Sequence, residues 1–132
     1  MPTITRYFIK AAMLYFVVGL LMAFLLSIKT YVTLPDAVLL LNPTYLHVLV
    51  MGWITQLIFG VAYWMFPKYS KDTPRGDERI GWLIFICFNL GLIARIIGEP
   101  FSVRWLLPVS AVLQFVGVWF FILAVWPRVK ER

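Results

Sequence analysis

The sequence is poor in charge. Only 14% of its 132 residues are Asp, Glu, Lys or Arg, whereas 62% are hydrophobic. A globule of this size with so little polar surface would not dissolve, so the solvent for most of the chain is lipid. A single cysteine, Cys87, excludes an intrachain disulfide, and its place in an apolar run makes it a packing residue. A single histidine, His47, excludes a metal centre built from several imidazoles of one chain. There is no repeat, no low-complexity tract and no stretch polar enough for a separate soluble domain. The formal net charge of +6 would suggest nucleic acid in a soluble protein. Here the basic residues flank apolar runs, so no nucleic-acid partner is expected and the charge reports on membrane topology.

What the chain does have is four apolar runs long enough to cross a bilayer, which takes about 20 residues at roughly 1.5 Å each. They cover approximately Tyr7–Ile28, Thr44–Phe66, Ile80–Gly98 and Trp105–Trp126. Helix-breaking chemistry separates them: Pro35-Asp36 and Asn42-Pro43 before the second run, Pro67 after it, Glu99-Pro100 after the third, Pro127 after the fourth. Asn42 is placed to cap the second helix with Pro43 in its first position, where a missing N–H costs nothing. Pro108 is tolerated near the start of the fourth for the same reason. The expected fold is all-α: one integral-membrane four-helix bundle. The first run matches the others in length and lacks a small-residue cleavage site after it, so it is expected to remain as a helix rather than be removed.

Orientation follows from the basic residues of the short loops. Arg6, Lys10, Lys68, Lys71, Arg75, Arg79, Arg128, Lys130 and Arg132 fall on one side, against Lys29 and Arg104 on the other. That bias puts the N and C termini in the cytoplasm, in a multi-pass protein of the cytoplasmic (inner) membrane. Between the first two runs, the apolar stretch 37–41 does not belong in water and is expected to form a short helical turn against the outer ends of the helices.

Ionisable residues within the membrane are costly and call for a reason. His47 lies about one turn into the second helix, roughly 6 Å from its start. Arg95 and Glu99 lie one turn apart at the outer end of the third, at spacing that allows them to pair. Antiparallel neighbours would place Arg95 and His47 at similar depth. Each residue also has a plainer reading: His47 as an interfacial hydrogen-bonding residue, and Arg95 snorkelling to the surface beside Glu99. Met51, one turn from His47, reads as packing. Gln56, Asn89 and Gln114 read as polar links between helices, and the Gly52, Gln56, Gly60 stripe as a close helix interface. Trp82, Trp105 and Trp126 fit an interfacial belt, while Trp53 and Trp119 fall nearer the middle of the membrane.

The second run carries more than polarity. Its pattern of His47, Gly52, Trp53, Gly60, Tyr63, Trp64 and Pro67 resembles the second helix of subunit I in the heme–copper oxidase superfamily, closest to the branch of C-type cytochrome oxidases and nitric oxide reductases. The likeness is strongest over about 25 residues and weaker elsewhere. It implies that His47 is the matching axial ligand of a heme b. It also implies, by role and not by a matched motif, that Arg95, and less directly Arg104, holds heme propionates. The remaining histidines of such a subunit have no counterpart here, so oxygen or nitric oxide reduction by this polypeptide alone is not expected.

One histidine can hold a heme in two ways. A homodimer meeting through the second helix would bring two His47 side chains to one iron, or His47 could leave the other position open to a gas. His47 and Met51, one turn apart on one face, cannot reach opposite sides of a porphyrin. The expectation is therefore a membrane cytochrome b for electron transfer or gas sensing. The alternative is a heme-free accessory subunit assembled with other respiratory-chain subunits. A small transporter is disfavoured, because no pair of broken helices or acidic relay is present.

Overall fold

The computed structural model describes residues 1–67 and 77–129, and helix is the only regular structure among them. Four helical spans are long and apolar enough to cross a membrane: Thr3–Ile28, Leu41–Met65, Glu78–Gly98 and Leu106–Arg128. The first is α1 (Thr3–Ile28), followed by a short α2 (Asp36–Leu39). The second span runs without a break through α3 (Leu41–His47), a wide π-helical stretch (Val48–Thr55) and α4 (Gln56–Met65). The third is α5 (Glu78–Gly98), and the fourth is α6 (Leu106–Val125) closed by a 3₁₀ turn (Trp126–Arg128). Of the basic residues that argue for orientation, Lys68, Lys71, Arg75, Lys130 and Arg132 lie outside the described residues.

The helix ends differ from the hydropathy reading for identifiable reasons. α1 begins at Thr3 instead of near Tyr7, because Ile4 and Thr5 are buried against the far ends of its neighbours. Gly60 lies under the Thr5 carbonyl, and Gly81 lies under the Ile4 side chain. Asn42 is not a cap. α2 runs almost directly into α3, with the Leu40 N–H already donating to the Asp36 carbonyl at 3.1 Å, so helical backbone arrives at Leu41 and no side chain caps it. With the helix starting two residues early, Pro43 is its third residue instead of its first, still within the turn where no intrahelical N–H is needed. Residues 37–39 do form a short helical turn, as expected for the apolar loop. Asp77 caps α5 by accepting the Arg79 N–H at 2.9 Å, and the turn after α5 uses Ser102 at a left-handed φ of 57°.

Close-approach residues set the packing. On α1 and the second span, Gly19 meets Leu49, Gly52 meets the Tyr15 ring, and Gly60 meets Phe8 and Ile9, so these two spans run antiparallel. The stripe of Gly52, Gln56 and Gly60 is thus an interface. Its glycines face α1, while buried Gln56 exchanges two amide hydrogen bonds with Asn89 of α5, at 3.2 and 3.3 Å. The Gln114 side chain donates to Ser110 on its own helix at 3.3 Å and meets α5 by packing against Gly91.

α5 and α6 form the tightest pair. A Cβ on Gly91 would sit 2.8 Å from Gln114 Cγ, 3.1 Å from the Ser110 carbonyl oxygen and 3.2 Å from the Gln114 nitrogen. Two of these neighbours are backbone, which cannot rotate away. Gly91→Leu is therefore expected to push the two helices apart at a cost of about 2–3 kcal/mol, as overpacking of a filled interface does. A denaturant midpoint in detergent equal to wild type would refute this packing.

The main core cluster is built from Ile4, Phe8, Phe59, Tyr63, Ile84, Phe88 and Leu92. Phe59 stacks on Phe121 of α6 at 3.8 Å between centroids, and Phe8 meets Phe85 edge-on at 5.1 Å. Arg128 closes the end of the bundle at which α4 stops. It is 1% exposed and donates through Nη2 to the Tyr63 and Phe66 carbonyls at 3.0 and 2.8 Å and through Nε to that of Pro67 at 3.0 Å. A residue counted from sequence as a flanking charge is instead the cap of α4. The outer faces of α1 and α6 expose Leu14, Leu21, Phe24, Phe115 and Leu123, as suits helices whose solvent is lipid.

Candidate functional site

The other end of the bundle, below α2, holds the polar groups. The second span and α5 run antiparallel, so His47 in the last turn of α3 comes level with Arg95 near the end of α5. Arg95 Nη2 lies 3.0 Å from His47 Nε2. A guanidinium has no lone pair to accept with, so Arg95 donates and Nε2 accepts. On the other side of the ring, Nδ1 is 3.1 Å from the Pro43 carbonyl, which can only accept. The two partners independently specify the neutral tautomer with its proton on Nδ1.

Arg95 is itself held from behind. Its Nε lies 2.8 Å from Glu99 Oε1, an ion pair made off the N–H axis. Glu99 Oε2 accepts a 2.7 Å hydrogen bond from the Thr44 hydroxyl, and Thr44 is fully buried. Contacts thus pass from Thr44 on the second span to Glu99 and Arg95 on α5 and back to His47 on the second span. The side chains of Arg95 and Glu99 are only 21% and 10% exposed, and in low dielectric such charge-assisted contacts are strong and their loss is costly.

The structure therefore brings His47, Arg95 and Glu99 together. Arg104 is exposed on the rim of an adjoining cleft of about 330 Å³, which Leu40, Gly98, Ser102 and Leu107 line together with Pro43 and Glu99 of the network. Thr44 was not singled out from sequence. A threonine in the first turn of a helix is ordinary, and only its position three residues before His47 ties it to the site. The π-helical stretch that starts directly after His47 was also unforeseen. Thr55 supports it by donating to the Val50 carbonyl at 2.9 Å, five residues back. Such wide turns recur at functional positions in helices.

No family model, characterised protein or solved structure matches this chain. The resemblance to heme–copper oxidase subunit I is one of sequence pattern, strongest over the second span.

Those residues can be tested against heme by their donor atoms. Nε2 carries the lone pair an iron would take, and Nδ1–H on a backbone carbonyl is the outer contact that orients a ligating imidazole. Beside the ring is an open groove of about 250 Å³, lined by Leu46, Val50 and Met51 with His47. It is apolar and faces away from the chain's other helices. No group of three or more His, Cys, Asp or Glu side chains that could hold a metal ion occurs among the described residues, and Met51 lies along the same face as His47. Were heme bound, His47 Nε2 would be the one ligand these residues offer it, and any further ligand would have to come from another molecule. Arg95 would have to leave Nε2 first, since it occupies that lone pair at 3.0 Å. Of the mid-membrane tryptophans, Trp53 packs on Phe16 at 4.1 Å, and Trp119 lies on the exposed face of α6 beside Phe115.

Proposed function

We propose that this protein is a membrane b-type cytochrome subunit. His47 Nε2 is one axial ligand of a heme b, and a second copy of the chain supplies the other His47 across a two-fold axis. The observation that carries this reading is the His47 tautomer, with its proton held on the Pro43 carbonyl and its Nε2 lone pair left as an acceptor. Heme supplies a one-electron redox couple for electron transfer or, with one position open, an iron that senses a gas. The chain's own residues do the rest: Pro43 fixes the ring, Leu46, Val50 and Met51 give an apolar wall, and Arg95 offers a cation to a heme carboxylate once it leaves Nε2. Arg104, in the adjoining cleft, is the less direct candidate for a heme carboxylate. Both termini lie in the cytoplasm and His47 near the outer face of the cytoplasmic membrane, by the distribution of basic residues.

A second reading is a heme-free accessory subunit of a respiratory membrane complex. It is favoured by the hydrogen bond Arg95 already makes to Nε2, which satisfies the ring without a metal. A reduced-minus-oxidised spectrum with a pyridine hemochrome assay, on protein purified in detergent after expression with heme supplied, separates the two. About half a heme per chain is expected for a shared iron. One heme per chain would replace the shared iron by an open site, and no heme would put the accessory subunit first.

A further inference from the structure

We infer that Arg95 is a gate on His47, and that Glu99 and Thr44 hold it closed. What the gate admits rests on the heme reading above; the gate itself rests on distances within the chain. Nε2 has one lone pair, and Arg95 Nη2 occupies it at 3.0 Å. Arginine is always charged and never a ligand, so Arg95 and any electrophile exclude one another at that atom. The guanidinium is not placed by His47 alone. Glu99, one turn along α5, lies 2.8 Å from Arg95 Nε, and the other oxygen of that carboxylate is fixed at 2.7 Å by the hydroxyl of buried Thr44.

Removing the Thr44 hydroxyl frees Glu99 to rotate, and Arg95 moves with it. Thr44 acts on Nε2 only through the two residues between. It is a positioning residue, and a substitution there reaches His47 by way of α5. A network that merely held two helices together would respond to the same substitution with lower stability and an unchanged Nε2.

The single histidine makes this measurable at one atom. Diethyl pyrocarbonate reacts with the lone pair of a neutral imidazole nitrogen, transferring its ethoxycarbonyl group and releasing carbon dioxide and ethanol. The rate of imidazole carbethoxylation, read by ultraviolet absorbance on heme-free full-length protein in detergent, reports on Nε2 when His47→Ala serves as the blank. Arg95→Met is expected to react about tenfold faster than wild type or more, as loss of a hydrogen bond to a charged group implies. Thr44→Val and Glu99→Gln are expected to fall between. Equal rates for wild type and Arg95→Met overturn the gate, and an unchanged rate in Thr44→Val overturns the part given to Thr44.

A second measurement needs no variant. Nitrogen-15 spectra of histidine-labelled wild type give one pair of ring signals, expected as a protonated Nδ1 and a hydrogen-bonded, unprotonated Nε2; the reverse tautomer overturns the gate. Absence of heme from every variant with the rate order intact defeats the cytochrome reading and leaves the gate standing. Heme at half a mole per chain with equal rates does the opposite.

Discussion

His47→Ala is expected to purify without heme and with its four helical spans intact. His47 is the one imidazole of the chain, so no other residue of its type can take over. The fold should survive because the ring is only part-buried and Arg95 keeps its ion pair with Glu99, itself held by Thr44. The lost Arg95–His47 hydrogen bond is worth about 1–2 kcal/mol. Heme per chain by pyridine hemochrome, alongside helical circular dichroism and a thermal midpoint, separates loss of a ligand from loss of the fold. Heme content equal to wild type in a folded His47→Ala protein would end the proposal that His47 holds iron.

Arg128→Ala is expected to be the most destabilising single substitution at the opposite end. The guanidinium serves three carbonyls at the close of α4 and lies over the Tyr63 ring at 5.3 Å. A helix end leaves its last carbonyls without intrahelical donors, and here a side chain from the 3₁₀ turn after α6 satisfies them. Alanine leaves those carbonyls without this donor in a buried setting, for a loss of about 3 kcal/mol or more. Arg128→Lys should recover only part of it, because an ammonium does not reproduce the planar fork that spans three acceptors. Unfolding by denaturant in detergent measures both variants, and an alanine variant as stable as wild type would show that the cap contributes nothing. Heme content should be unchanged in either, since the His47 network lies at the other end of the bundle.

The two ends differ in how far they could be read beforehand. Near His47, spacing suffices to pair Arg95 with Glu99, and antiparallel connectivity brings Arg95 level with His47. Which nitrogen faces which donor depends on how each helix is rotated about its axis, and spans that are apolar nearly all round give little sequence signal for rotation. Glycine positions set that rotation instead: Gly52 and Gly60 seat the second span on α1 and turn Gln56 toward Asn89. Thr44 and Arg128 stayed hidden for a related reason. Their partners are 55 and 61 to 65 residues away, and nothing local marks a threonine as a buried donor or an arginine after a helix as another helix's cap.

The sequence by itself determined that the chain is all-helical, that it carries four helices long and apolar enough to cross a membrane, and where between breaks each of them falls. Lipid penalises every unsatisfied backbone group and every charge at the residue where it occurs, so composition and punctuation carry that information locally. Only the tertiary structure decided that the Nε2 lone pair of His47 meets a guanidinium, that a carboxylate and a hydroxyl stand behind it, and that Arg128 turns inward. Those outcomes depend on the rotation and approach of whole helices, which distant glycines and ring contacts fix together.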